Sequence, residues 1–195
     1  MRASCAVAAV FGALSVTCFA QPATAAGALE AKVLDEVNFA RTRPAEYAKV
    51  LRQRAPEMIG EDPRDVAEAI QFLSRQKPLP PLSPDSKLAQ AARAHATAQG
   101  RAGEVGHTSP GGVTFGKRLQ IHGIKVGMAA ENISYGYDDP RAVVRQLIVD
   151  TGVPDRGHRR NIFTEGHEAA GVSCAPHKEW GSLCVIDFAG QPLGR

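Results

Sequence analysis

The stretch LPPLSPDSKLAQAARAHATAQ, residues 79–99, contains the boundary that decides how this chain folds. Its prolines exclude a helix as far as Pro84, because proline lacks an amide proton and clashes with the preceding turn. Ser83-Pro84-Asp85 then offers a fresh start, and the alanine-rich run from Ser86 to Gln99 predicts a helix. An extended proline-rich entry therefore leads directly into a helix.

Upstream of this boundary the spacing predicts more helix. Apolar residues recur at helical intervals from Leu29 to Leu51 and are interrupted at Thr42-Arg43-Pro44, which predicts a helix, a proline-started turn and a second short helix. Residues 55–79 are polar and flanked by prolines, with a weak helical pattern from Val66 to Leu73. We interpret residues 55–79 as a helical insertion over the core.

Downstream, helices give way to strands. Residues 115–122 can form one or two helical turns, and Asp139 before Pro140 is typical of an N-cap and first helical position. The helix that starts there is predicted to end near Asp150. Two β-prone runs, 169–175 and 182–189, predict an antiparallel hairpin. This order of helices and strands predicts the α+β class.

The N-terminal residues are typical of a secretory signal peptide. Arg2 supplies early positive charge, residues 6–20 form an apolar run, and small residues follow at Ala23 and Ala25. We predict a signal peptide over residues 1–25, although cleavage after Ala20 is also compatible. The apolar run is shorter than the roughly 20 residues of a membrane-spanning helix. The expected product is a secreted or periplasmic domain over residues 27–190, without a transmembrane segment.

The cysteines fit an oxidising compartment. Cys5 and Cys18 would leave with the signal peptide, so that Cys174 and Cys184 remain. Two cysteines in an exported protein predict one disulfide bond. Two free buried thiols are the alternative.

The charge of the chain excludes some partners. The formal net charge is +3, and no run of Lys or Arg is long enough to follow a phosphate backbone. We therefore expect no nucleic-acid partner. We also expect the protein to be a monomer. The densest basic patch, Arg156 to Arg160, is interpreted as solvated loop charge.

Four ordered motifs carry a resemblance to a known family. The chain resembles the bacterial type of the CAP superfamily, whose SCP-like domain is shared by cysteine-rich secretory proteins, antigen 5 and pathogenesis-related class 1 proteins. The motifs are LPPL leading into LAQAARAHA (79–96), GHTSP (106–110), AENI (130–133) and GHRRNI (157–162). The likeness covers about residues 29 to 190.

The resemblance implies an α-β-α sandwich with a small antiparallel sheet between helices and a surface cleft that holds a His/Glu/Glu/His tetrad. His107, Glu131 and His158 fall on three of the tetrad positions. The fourth differs, because the chain reads LIVD (147–150) where many members have a Glu. Asp150 lies on the inward stripe of its helix and can replace that carboxylate, or it can bond only to the loop at the helix exit.

These residue types allow two kinds of chemistry. Imidazole and carboxylate are ordinary zinc ligands, so His107 and His158 are candidate metal ligands. Without a metal, the same groups form a proton-sensitive hydrogen-bond network, and no cofactor is required. Asn132 is suited to tying adjacent loops through its amide.

The other histidines have structural interpretations. His95 shares a helical stripe with Leu88 and Ala92, which predicts a core histidine whose hydrogen bonds are satisfied. His122 and His177 are expected to be solvated in loops. HExxH is absent, because the residue four positions after His167 is Gly171.

Three functions follow, and no catalytic residue is assigned. The resemblance implies a binding module for a small apolar ligand or a cell-envelope component. A metal- or histidine-dependent hydrolase, a peptidase or esterase, is the alternative, although Ser109 is too near His107 in sequence to pair with it readily and no GxSxG elbow exists. A non-catalytic interaction or inhibitory domain is the third possibility.

Overall fold

A computed structural model describes residues 25–55 and 60–191. The elements are α1 (Ala25–Thr42), α2 (Pro44–Arg54), α3 (Pro63–Arg75), β1 (Ser83–Pro84), α4 (Ser86–Ala102), α5 (Phe115–Ile121), β2 (Ala129–Tyr135), α6 (Pro140–Val149), α7 (Gly157–Ile162), β3 (Ala169–His177) and β4 (Gly181–Ala189). The predicted signal peptide, with Cys5 and Cys18, lies outside the described residues except for Ala25.

Side-chain caps set the helix starts where the sequence predicts them. The Asp85 carboxylate accepts hydrogen bonds from the amides of Lys87 and Leu88, both at 2.8 Å, and so begins α4. Asp139 accepts one from the amide of Ala142 at 2.9 Å and begins α6. Both helix starts are confirmed.

The sheet has the strand order β1-β3-β4-β2. The three long strands are antiparallel, and β4 lies between β3 and β2. The two-residue β1 runs parallel to β3, which makes the sheet mixed and departs from the purely antiparallel sheet expected. Since Asp85 and Ser83 donate to the carbonyl groups of Ala170 and Glu168, the proline-rich entry is fastened to β3 before α4 begins.

Helices cover both faces of the sheet, so the α+β class and the α-β-α sandwich are confirmed. Alternate residues of β4 point to opposite faces. Cys184, Ile186 and Phe188 belong to the main core together with residues of α1, α2, α3 and α6, whereas Leu183 and Val185 pack with residues of α4.

Two glycines let α4 lie unusually close to β3. A Cβ atom on Gly171 would stand 2.0 Å from the backbone nitrogen of Ala89, and one on Gly100 would stand 2.2 Å from the carbonyl oxygen of Pro176. Any larger residue would push the helix off the sheet. These two glycines therefore set the distance between α4 and β3.

The disulfide prediction is confirmed. Cys174 and Cys184 face each other across the β3–β4 pair and are bonded, with 4.1 Å between their Cα atoms. The hairpin is also confirmed, and it extends two residues beyond its predicted first strand, to His177.

Two sequence expectations were wrong. The patch from Arg156 to Arg160 is not solvated loop charge: Arg159 is 2% exposed, and residues 157–162 form α7. His177 is not a solvated loop residue either, because it lies at the end of β3 and is 3% exposed.

Candidate functional site

The candidate site lies along β2, which forms one edge of the sheet. Glu131 and Ile133 are on the face of β2 that α4 covers, whereas Asn132 and Ser134 bond toward α6 and α7. One histidine approaches this edge from each layer. His107 follows α4, and His158 is the second residue of α7.

The first pair joins His107 to Glu131. The Nδ1 atom of His107 lies 2.9 Å from a carboxylate oxygen of Glu131, and the other carboxylate oxygen bonds to Arg118. Glu131 and Arg118 are both buried, whereas the side chain of His107 is 56% exposed. Glu131 thus anchors an exposed imidazole to a buried ion pair.

Arg118 also holds the loop that carries His107. Its guanidinium donates to the carbonyl groups of His107 at 2.9 Å and Val113 at 3.2 Å, and to the Ser109 hydroxyl at 3.3 Å. Sequence reasoning missed this residue. Its position next to the apolar Leu119 in α5 is a weak sign that Arg118 is buried. The sequence does not reveal its partner, because Glu131 lies 13 positions away.

The second pair joins His158 to Asp150. The His158 Nδ1 atom lies 2.6 Å from one oxygen of Asp150, whose other oxygen accepts from the backbone amides of His158 at 2.9 Å and Arg159 at 3.3 Å. Asp150 is buried and adopts a left-handed conformation, φ 59°, at the C-terminal end of α6. A buried carboxylate therefore lies beside His158.

Asn132 ties the two sides together. Its amide donates to the carbonyl of His158 at 2.9 Å, and its oxygen accepts from the side chain of Asn161 at 2.8 Å. Because Asn132 is fully buried beside Glu131 on the same strand, the positions of the two histidines are linked through β2.

A cleft of about 470 Å³ contains both histidines in its lining. Asp150 and Gln146 supply further polar groups, whereas Glu131 lies beneath the lining. The apolar lining residues are Val105, Ile133, Tyr135, Tyr137, Leu147 and Val153.

The tautomers of both histidines follow from their partners. A carboxylate only accepts hydrogen bonds, so each Nδ1 carries the proton, and a neutral ring then has a lone pair on Nε2. Among the residues that the structure describes, neither Nε2 atom has a hydrogen-bond partner. The site therefore offers two imidazole acceptors.

Charge and burial shift the pKa of Glu131 in opposite directions. Burial raises the pKa of Glu131, but the hydrogen bond from His107 and the charge of Arg118 lower it further, so that its pKa lies below the usual value. Glu131 is a carboxylate at neutral pH.

Asp187 is a buried acid beside this site. It lies opposite Glu131 in the β2–β4 register and is fully buried. Burial and the negative charge of Glu131 raise the pKa of Asp187 well above its ordinary value. Neither oxygen of Asp187 has a well-formed hydrogen bond within the described part of the chain.

His95 is a satisfied core histidine, as predicted. Its Nε2 atom donates to the carbonyl of Gly106 at 3.0 Å, so its Nδ1 atom accepts from the Ser109 hydroxyl at 2.8 Å. Burial lowers the pKa of His95, which keeps the ring neutral. Ser109 is buried on His95, is absent from the cleft lining and has no bond to His107.

The residues do not fit a closed zinc site. Structural zinc takes four protein ligands, and catalytic zinc takes three. Within residues 25–55 and 60–191, no group of three or more His, Cys, Asp or Glu side chains could hold a metal ion. The carboxylates of Glu131 and Asp150 already accept bonds on both oxygens. Glu61, the other acid in the described cleft lining, lies 3.9 Å from Arg145. The Nε2 atoms are the histidine nitrogens that remain available.

The layered fold and the paired histidines define a small α-β-α domain with a polar cleft at the edge of its sheet. The model of the cysteine-rich secretory protein family, CAP, matches residues 34–188, and the chain belongs to this family, in its bacterial type.

Three known proteins show the range of likeness. The Bacillus subtilis protein YkwD is 27% identical over 164 residues, which are 82% of this chain and 60% of YkwD. An outer surface protein of Borrelia burgdorferi is 18% identical, with a TM-score of 0.50 over 58% of this chain and 80% of its own. An extracellular SCP-domain protein of Bacillus anthracis is 23% identical, with a TM-score of 0.49 over 66% of this chain and 38% of its own. The chain thus spans about three fifths of YkwD. The likeness to the Borrelia burgdorferi protein shows the fold alone.

Proposed function

We propose that this domain is an exported binding module that takes a small apolar ligand, or the apolar part of a cell-envelope component, in the cleft of His107 and His158. The signal peptide expected at residues 1–25 places the domain outside the cytoplasm, secreted or periplasmic. None of the helices in the described ranges has the length and apolar character that a membrane crossing requires.

One observation carries the proposal: two imidazole acceptors lie among apolar walls in one cleft. Apolar walls contribute binding area, and a few fixed polar groups orient the ligand. Because each Nε2 atom is an acceptor, the matching ligand group is a donor such as a hydroxyl. The preferred ligand is an apolar chain or ring system with a hydroxyl group.

Within the described part of the chain, no hydroxyl or thiol group is hydrogen-bonded to the imidazole of His107 or His158. Thr151 is the lining residue with an aliphatic hydroxyl group, and it accepts a hydrogen bond from the amide of Asp62 at 3.2 Å. The phenolic hydroxyl of Tyr135 donates to Gln99 at 2.7 Å. With two imidazoles as the protein ligands, we expect zinc to bind weakly and to require both His107 and His158. Binding of a small molecule therefore agrees better with the described residues than hydrolysis does.

The test uses Trp180, the only tryptophan in the chain, whose ring lies 6.5 Å from the ring of Tyr135 in the cleft lining. Its fluorescence is titrated with 1-dodecanol and with the methyl ether of the same alcohol, which lacks the donor. We expect saturable binding of the alcohol and about tenfold weaker binding of the ether, the effect of one lost hydrogen bond.

Variants separate the two contributions. Val105→Asp, at an exposed position of the lining, should abolish binding of both compounds, whereas His107→Ala should remove the preference for the alcohol. Ile121→Asp is the matched control, because Ile121 is equally exposed but lies outside the lining. Unchanged binding by Val105→Asp, or turnover of a nitrophenyl ester that His107→Ala abolishes, would overturn the binding proposal.

A further inference from the structure

A second surface, on the side of α4 away from the sheet, carries concentrated positive charge. Between Ser86 and Ala130 the one acidic residue is Glu104, whereas the basic residues are Lys87, Arg93, Arg101, Lys117, Arg118 and Lys125. Arg118 is buried on Glu131. The other five are exposed, so this part of the chain presents a cationic surface.

The charge is organised along one helix. Gln90, Arg93, Thr97 and Arg101 follow at intervals of three, four and four residues, which places them on one stripe of α4. All four line two neighbouring troughs, one of about 780 Å³ against β3 and one of about 480 Å³ toward His122. The stripe is therefore a ridge of hydrogen-bond donors between two grooves.

The two arginines on this stripe are available. Within the described part of the chain, neither Arg93 nor Arg101 takes part in an ion pair or a side-chain hydrogen bond. Lys178, which also lines the larger trough, lies 4.0 Å from Glu179.

The acid in the wall of the larger trough is already engaged. Glu30 is the one acidic residue in the lining of the larger trough, and its carboxylate accepts from the Ser173 hydroxyl and the Cys174 amide, both at 3.1 Å. The N–H group of the β3 edge is thereby satisfied, which disfavours addition of a further strand there.

We propose that the stripe Gln90–Arg93–Thr97–Arg101 binds an extended polyanion, a chain of carboxylate or phosphate groups that lies along α4. Eight residues of helix separate the two guanidinium groups by about 12 Å along the axis. A single small anion contacts one of them, whereas a polymer contacts both. Guanidinium groups bind carboxylates and phosphates in the same bidentate manner. Both arginines also line the troughs on either side of the ridge, where a polymer chain fits and a flat bilayer surface does not, which favours a polymer chain.

The experiment measures fluorescence anisotropy of labelled poly-L-glutamate and of labelled long-chain polyphosphate. The wild-type protein should bind at least one of them, with an affinity that falls as salt is added. Preference for one polymer identifies the anionic group. Arg93→Glu/Arg101→Glu should weaken binding at least tenfold while the circular dichroism spectrum stays unchanged.

The matched control is Arg52→Glu/Arg54→Glu, the same charge change at two exposed positions of α2. It should alter the affinity less than twofold. An equal loss of affinity in the control would show that only the net charge of the protein matters, and it would overturn the proposal. Inorganic phosphate competing as well as the polymer does, or arginine-dependent binding to phosphatidylglycerol vesicles without polymer binding, would overturn it too.

Discussion

At the scale of single residues, the candidate site contains two carboxyl groups on adjacent strands whose surroundings shift their pKa values in opposite directions. Glu131 keeps its charge because His107 and Arg118 bind both of its oxygens. Asp187, opposite it, has no such partners among the described residues, and burial and the charge of Glu131 raise its pKa. The negative charge of Glu131 is thus compensated, whereas a second negative charge on Asp187 is disfavoured.

We predict that Asp187→Asn changes how stability depends on pH. The unfolded chain releases the Asp187 proton above the ordinary value of 3.8, whereas the native state retains it. The stability that the proton confers is therefore present below 3.8 and is lost as pH rises toward the native pKa. In urea unfolding, the stability of the asparagine variant relative to wild type should rise with pH above about 4.5, by at most about 1.4 kcal/mol per pH unit, until the native pKa of Asp187 is reached.

The control is Asp35→Asn, at an exposed position of α1. The change with pH that Asp187→Asn shows should exceed the change that this control shows over the same range. A constant difference for Asp187→Asn as well would show that Asp187 is ionised in the native state.

Sequence motifs and helix caps predicted some of these residues and elements but not others. The prediction of α4 and α6 succeeded because Asp85 and Asp139 cap their helices locally. The strand β2 was not predicted, because its sequence AAENISY has no simple alternation and because the β4 residues with which it pairs lie 48 to 60 positions away. Likewise, His107 and His158 were found as motifs, but Arg118 requires knowledge of the tertiary contact.

At the scale of elements, α3 supports the loop of the second histidine. Arg159 forms a bidentate pair with Glu68 of α3, with both distances 2.7 Å, and donates to the carbonyl of Ile148 at 2.6 Å. Arg156 bonds Asp65 of α3 and donates to the carbonyl of Asp150 at 2.8 Å. The acidic partners lie 91 positions from their arginines, which explains why the patch was misread as solvated charge.

We predict that Glu68→Ala destabilises the domain by about 1 to 3 kcal/mol, because it leaves the buried Arg159 guanidinium without its carboxylate. The loss should be measured by urea unfolding, and NMR of the imidazole nitrogens should show a change at His158 but not at His107. Glu46→Ala breaks an exposed pair with Arg43 and should cost less than about 1 kcal/mol. Equal effects of the two variants would show that α3 does not position this loop.

At the scale of the whole molecule, α3 shares the main core with the rest of the domain. Its buried residues Val66, Ala69 and Leu73 belong to the same cluster as Val37 of α1 and Ile186 of β4. Sequence reasoning predicts residues 55–79 as an insertion over the core, because the segment is polar overall and its apolar residues are few. Three inward side chains are nevertheless sufficient to join the segment to the core, and composition does not reveal that contact.

We predict that Leu73→Ala lowers the free energy of unfolding of the entire domain by about 2 to 5 kcal/mol, as for other fully buried leucines. A shared core unfolds as one cooperative unit, so far-ultraviolet circular dichroism and Trp180 fluorescence should report the same shifted urea midpoint, although Trp180 lies at the β3–β4 turn. Gln71→Ala, at an exposed position of the same helix, should change stability by less than about 0.5 kcal/mol. If Leu73→Ala instead produced an early partial transition in circular dichroism and left the fluorescence midpoint unchanged, α3 would be a separately melting insertion. Its support of His158 would then be lost without unfolding of the sheet.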